Sequence, residues 1–363
     1  MKALRLYAGP QALAHIRSHG LQPHDIAAIP GAAGGPKGLI LGPLDRFLFG
    51  QWLAQSTQPI DLVGASIGAW RLATACLHDC ESGFRRLEHD YIAQHYELEP
   101  GRKRPTAAQV SREFGRSLEG FYGGRIQEAL GHPRWRLHVM TSRGIGLLAR
   151  EHPVFTPLGY AGAYVTNLIS RGLMDAWLER VVFSTTLDGM PHALPFDTQD
   201  YRTRQVALTE ENFMKAIQAS CSIPFVLQAV HGIAGAPRGA YWDGGITDYH
   251  LHLNYRSLGP EPGLVLYPHF QKQVVPGWLD KSLKWRHKAT PFLDRTLVLA
   301  PDPEWVLTLP NGKLPDRTDF TRYANDLPGR IKAWTAAARA SEQLAQEFAD
   351  WLARPDADQV HAL

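Results

Sequence analysis

The chain holds only three cysteines, Cys76, Cys80 and Cys221, in 363 residues. Three thiols cannot build a disulfide framework, which points to a reducing compartment. Charge of one sign is scarce: 38 Lys plus Arg against 35 Asp plus Glu leaves a net +3. A dedicated nucleic-acid binder carries a larger basic excess, so no nucleic-acid partner is expected. No stretch reaches the roughly 18 consecutive apolar residues of a membrane span. The N-terminus lacks the apolar run, about 7–15 residues long, of a signal peptide. The expected location is therefore the cytoplasm. The nearest approach to a span, residues 153–170, is uncharged but holds two prolines, two glycines, two threonines and an asparagine; it reads as a buried or substrate-facing segment. A content of 44% hydrophobic and 20% charged residues excludes a disordered chain.

What is present is an alternation of short apolar runs, tight turns and helices. Residues 11–19 read as a helix stopped by Gly20. Residues 25–29 (DIAAI) read as a buried strand, followed by the loop 31–38 (GAAGGPKG) and an apolar helix over 39–49. Residues 60–63 (IDLV) form a second strand, then a tight turn and a helix over 69–77. Strand, turn and helix in this order predict a parallel sheet covered by helices. Further strands are expected at 136–140, 180–183, 240–242 and 263–267. Residues 268–328, rich in Pro, Trp and charge, read as a loop-rich insertion or cap. Apolar residues from Ile331 to Leu352 recur at helical spacing, predicting a C-terminal helix over 330–354 stopped by Pro355. No linker divides the chain, so residues 1–363 are expected to form one domain.

Three motifs carry chemistry. Gly64-Ala65-Ser66-Ile67-Gly68 lies between a strand and a helix, the setting of a nucleophile elbow. Small flanking residues let the chain turn sharply and present the serine oxygen, and the helix N-terminus beyond it favours developing negative charge. Gly34-Gly35-Pro36-Lys37-Gly38 also follows a strand. Its spacing fails the P-loop and the dinucleotide fingerprint, which leaves an oxyanion hole supplied by the N–H groups of Gly34 and Gly35, with Lys37 as a further candidate donor, or a plain strand-to-helix turn. Asp243-Gly244-Gly245 follows the run 240–242 and offers a general base for Ser66. Taken alone, the same triplet is an ordinary Asp-Gly turn.

Together the three motifs, in this order, resemble the patatin-like phospholipase family over roughly residues 25–250. Gln218-Ala219-Ser220-Cys221-Ser222-Ile223-Pro224 is similar to that family's small-residue helix ending in proline before the catalytic aspartate. The resemblance implies an α/β protein with a three-layer α/β/α patatin-like fold, a mainly parallel central sheet and, here, a loop-rich C-terminal extension. It implies acyl-ester hydrolysis, usually of lipids, by a Ser66–Asp243 dyad with no catalytic histidine and no cofactor. Lys37 adds positive potential near an anionic headgroup. The chain departs from the family in having Ala32-Ala33 before the two loop glycines, Lys37 where Arg is common, and Tyr249 and Leu251 where Asn and Pro are common.

Other readings share some of these residues. An α/β-hydrolase triad would use Ser66, Asp243 and one of His250, His252 and His269. An acyltransferase or polyester depolymerase would form the same acyl-serine. A lipid-binding protein without activity would keep only the pocket. Metal catalysis is not expected: Cys76, His78 and Cys80 do not share one helix face, and no further ligand pair accompanies them. Residues 101–150 hold ten Lys/Arg against three acids. Solvated helices are the simpler account of that excess, and peripheral contact with anionic membrane is the alternative.

Overall fold

The computed structural model describes residues 1–97, 101, 102, 104–258 and 263–363. Lys103, one of the ten basic residues counted above, lies outside the described residues. The strands are Leu4–Ala8 (β1), Ile26–Gly31 (β2), Ile60–Ala65 (β3), Trp135–Gly144 (β4), Leu178–Ser184 (β5), Thr186–Leu187 (β6), Met190–Pro191 (β7), Thr203–Ala207 (β8), Tyr241–Asp243 (β9), Leu264–Pro268 (β10), Thr296–Pro301 (β11) and Val360–Ala362 (β12). The α-helices are Pro10–His19 (α1), Gly42–Phe47 (α2), Ile67–Ala75 (α3), Cys80–Ala93 (α4), Ala107–Tyr122 (α5), Ile126–Leu130 (α6), Phe155–Ile169 (α7), Glu210–Ser220 (α8), Pro303–Thr308 (α9), Thr318–Arg322 (α10), Leu327–Ala340 (α11) and Glu342–Ala353 (α12).

Ten strands make one mixed sheet in the order β12-β1-β11-β10-β2-β3-β4-β5-β8, with β9 paired to β4 off this path. The sheet is mostly parallel, and β1–β11, β4–β5 and β4–β9 are its antiparallel pairings. β2, β3 and β4 are neighbours in chain order, so right-handed crossovers place their two connecting helical segments on the same face. The central strands are apolar on both sides: Ile60, Leu62 and Val63 of β3 are all buried, as strands covered on both faces require.

The strands expected at 136–140 and 180–183 fall within β4 and β5, and those expected at 240–242 and 263–267 overlap β9 and β10, each starting one residue early. Four expectations need correction. Residues 268–328 are not only an insertion or cap, because β11 lies inside the sheet between β1 and β10. All six residues of β11 are buried, so it shows no alternation to distinguish it. The C-terminal helix is two helices, broken at Ser341, whose hydroxyl turns back onto the Ala338 carbonyl at 2.6 Å and competes with the helical ladder. The single helix expected over 39–49 is a chain of short turns around α2, because Pro36 and Pro43 each remove an N–H. The uncharged stretch 153–170, expected to be buried or substrate-facing, is not wholly buried. It forms α7, with one face buried and the other in solvent.

Candidate active site

The sheet register brings the three motifs together. β3 runs parallel along β4 as far as Ala65 opposite Met140. β9 runs antiparallel along β4, with Asp243 opposite Thr141, the next residue of β4. The other edge of β4 is occupied by β5 over residues 138–144. β3 and β9 therefore share one edge of β4 and meet end to end, with Ser66 leaving one strand where Asp243 ends the other. On the opposite side of β3, Gly31 of β2 is in register with Gly64, so the glycine loop leaves the sheet beside the elbow.

Close packing fixes the elbow. A Cβ at Gly68 would overlap the carbonyl oxygen of Gly31, so α3 can approach the end of β2 only with glycine there. Ser66 sits at φ 57°, ψ −129°, a conformation that costs a non-glycine residue about 1–3 kcal/mol and persists where its surroundings hold it. One holding contact is the Ser66 N–H, which donates to Ser220 Oγ at 2.9 Å. Ser220 Oγ in turn donates to the Met140 carbonyl at 2.6 Å. The small-residue segment that closes α8 thus clamps the elbow to β4.

Ser66 and Asp243 are both buried, 4% and 5% exposed. Ser66 Oγ donates to Asp243 Oδ2 at 2.7 Å, and Asp243 Oδ1 accepts the Gly245 N–H at 2.7 Å. Burial pushes the Asp243 carboxyl up from its ordinary value; the Ser66 hydroxyl, Arg317, the Gly245 N–H and Lys281 pull against it. The result is a more basic carboxylate in contact with a hydroxyl, the arrangement a general base needs.

The glycine loop packs against both partners. Ala33 N–H donates to the Tyr249 carbonyl at 3.0 Å, and Gly38 lies against the Ile67 side chain. Gly35 adopts φ 58°, in the left-handed region that favours glycine. Among the described residues, the Gly34 and Gly35 N–H groups have no hydrogen-bond acceptor within the protein. Lys37 Nζ lies 5.1 Å from the centre of the Phe270 ring, and burial lowers its pKa.

None of the three candidate histidines is hydrogen-bonded to Ser66 or Asp243. His250 Nδ1 engages the Gln273 carbonyl at 3.1 Å. His252 lies between the Val274 carbonyl and Thr290 Oγ1, at 2.9 and 2.8 Å. His269 Nδ1 engages the Gln271 carbonyl. Burial lowers all three, His250 well below its ordinary value, His252 to about 4 and His269 to about 3. Cys76 and Cys80 do not share a helix as expected: Cys76 caps the end of α3 and Cys80 opens α4. Among the described residues no group of His, Cys, Asp and Glu has the arrangement of a metal site.

Three features of the site went unread in the sequence. Lys281, half-buried over the Tyr249 ring at 4.0 Å, is pushed down to about 7 by burial and by Arg317 and Lys37, against an upward pull from Asp243. Asp248 is clamped by Arg180 through bonds of 2.8 and 2.7 Å and by Arg171 at 2.9 Å. These bonds anchor the chain five residues beyond the candidate base. Cys221 lies near Ser66 and Asp243, which figure among the influences on its thiol, and burial raises that thiol well above its ordinary range. Only Ser220 and Cys221 stood within a motif already singled out.

No family model matches this sequence, and no curated protein matches it.

Proposed function

We propose that the protein is a serine hydrolase acting on carboxylic esters through an acyl-serine intermediate. Within that class, the finer reading is a lipid acyl hydrolase of the patatin-like type, on a three-layer α/β/α patatin-like fold. The observation that carries it is the direct 2.7 Å bond from Ser66 Oγ to Asp243 Oδ2, made at a strained strand-to-helix elbow with no histidine between them.

In the acylation step Ser66 Oγ attacks the ester carbonyl carbon while Asp243 takes the hydroxyl proton. The carbonyl oxygen becomes an oxyanion, stabilised by the Gly34 and Gly35 N–H groups and by the N-terminus of α3. The tetrahedral intermediate collapses, the ester C–O bond breaks, and Asp243 returns its proton to the leaving alcohol. In deacylation Asp243 takes a proton from water, the hydroxyl oxygen bonds to the acyl carbon, and Ser66 leaves with its proton restored. Lys37, in the same loop, adds positive potential for an anionic headgroup. No metal or other cofactor enters either step. The free thiols of Cys76, Cys80 and Cys221 support a reducing, cytoplasmic setting.

The test is intact mass after treatment with a long-chain alkyl fluorophosphonate. The wild type gains a single adduct, Ser66→Ala gains none, and Asp243→Asn reacts slowly. A folded wild type that stays unmodified overturns the reading.

A further inference from the structure

A helix on the surface of a protein in water normally turns a polar face outward. α12 does so with Glu342, Gln343, Gln346 and Asp350. α7 does not. Its buried face carries Thr156, Tyr160, Ala163 and Asn167, and its exposed face carries Leu158, Ala161, Val165 and Ile169 at helical spacing, with Val154 exposed just before its first turn. Residues 153–170 contain no charged side chain. Eight of the fifteen exposed large hydrophobic residues among those described fall within residues 147–173, so the exposure is one patch rather than scattered single residues.

Two aromatic residues extend the patch. Phe225 is 63% exposed, held at φ 68°, with its ring 6.1 Å from that of Tyr160. It belongs to the segment that begins with Ser220 and Ser222, whose side chain and carbonyl receive the Ser66 and Asp243 backbone N–H groups. Tyr160 also packs on Trp242, the neighbour of Asp243, at 6.3 Å. The patch therefore borders the candidate active site. At the other end the loop 281–288 lies along α7: Tyr164 and Ser282 hydroxyls are 3.3 Å apart, and Arg286 donates to the Leu168 carbonyl at 3.3 Å. That loop exposes Trp285, Lys284 and Lys288 and contains no acid.

We infer that α7, Phe225 and Trp285 form a face that docks on an anionic phospholipid bilayer. An apolar stripe flanked by tryptophan and lysine matches the boundary between acyl chains and charged headgroups, where such a face buries about 5–10 Å deep. Three arginines of the basic segment 101–150 stand apart from this surface or are engaged by acids. Arg125 and Arg143 are paired with Glu128 and Glu179 at 2.8 and 2.6 Å, and Arg136 and Arg143 stand near opposite ends of β4. The inference deepens the hydrolase reading by saying where the lipid lies, but its binding arm does not depend on that reading.

Cosedimentation tests it, with vesicles of phosphatidylglycerol and phosphatidylcholine compared with phosphatidylcholine alone. The wild type partitions onto the anionic vesicles. Val165→Asp loses at least about tenfold in partitioning, and the double variant Lys284→Gln/Lys288→Gln loses about thirtyfold at low salt. Thermal melts close to that of the wild type establish that the variants are folded. A wild type that stays in the supernatant, or a folded Val165→Asp that binds as the wild type does, overturns the inference. So does a wild-type dimer that ignores vesicles and is split by Val165→Asp, which assigns the face to a second copy of the chain. Vesicle binding by a wild type that takes no fluorophosphonate supports the docking face and sinks the hydrolase reading instead.

Discussion

Ser66 and Asp243 are separated by 177 positions in the chain and by 2.7 Å between their side-chain oxygens. The contact exists because β3 and β9 abut along one edge of β4. Asp243→Asn keeps the shape of the carboxylate but cannot take the Ser66 proton. Its kcat is expected to fall by about 10²–10⁴-fold, the usual contribution of a general base. KM should change far less, because the substitution removes proton transfer rather than binding. Steady-state kinetics on a soluble ester separate the two parameters. An unchanged kcat would remove Asp243 from the chemistry.

The pH–rate profile distinguishes dyad from triad. Asp243 works only as the carboxylate, so kcat/KM rises with pH through its raised pKa and then levels. His250, His252 and His269 are held neutral by burial, so no limb near the ordinary histidine value of about 6.5 is expected from them. His252→Gln should leave the profile's shape unchanged. A histidine limb that disappears in one of the three single variants would replace the dyad with a triad.

The same carboxyl makes a stability prediction. Its folded pKa is raised above the ordinary 3.8. Between those two values the folded state binds more protons than the unfolded state, so this group's contribution to stability falls as pH rises. Below 3.8 both states are protonated and the penalty is absent. Above the folded value it is fully present. Asp243→Asn has no such titration. Its melting temperature relative to wild type should therefore climb through this acidic window and stay constant above it. A difference that is flat with pH would show that Asp243 is not perturbed.

Ser220 holds the backbone of the candidate nucleophile, Ser66, through the bond from the Ser66 N–H. Ser220→Ala leaves the Ser66 N–H buried and unpaired, at a cost of about 1–3 kcal/mol in stability. It also frees an elbow held in a strained conformation. Misplacing the nucleophile by an ångström is worth about 100-fold in rate, so kcat should fall by up to that factor. Ser220→Thr, which restores the oxygen, should recover part of the loss. Equal kcat in the serine and alanine forms would show that the elbow holds itself.

The motifs were legible because each is a local device: glycines at 34, 35, 64 and 68 are demanded by turns and close approaches that leave a mark in sequence. The strand over 60–63 was legible as a short run leading into a tight turn. β11 was not, since a strand buried along its whole length shows no period of two. α7 was misjudged for a related reason: apolar composition reports hydrophobicity but not which side faces solvent. Lys281 and the Arg180–Asp248 clamp were invisible. Lys281 and Arg180 reach the site from afar in the chain, and nothing near them in sequence records the contact.

On the hydrolase reading, Lys281 helps to place the acidic limb of the pH–rate profile. It is pushed down only to about 7, so it carries its charge throughout the acidic range in which Asp243 titrates. From there it stabilises the carboxylate and, together with Arg317, offsets part of the upward push of burial. Lys281→Met removes that charge and keeps an apolar stem of similar length over Tyr249. The acidic limb of kcat/KM should move to higher pH, while the plateau rate changes little if the lysine acts only through its field. Potassium chloride should move the wild-type limb in the same direction by screening, and move the Lys281→Met limb less. A limb that stays in place in Lys281→Met would show that the ammonium does not act on Asp243. A plateau that collapses with the limb unmoved would place Lys281 on the substrate instead.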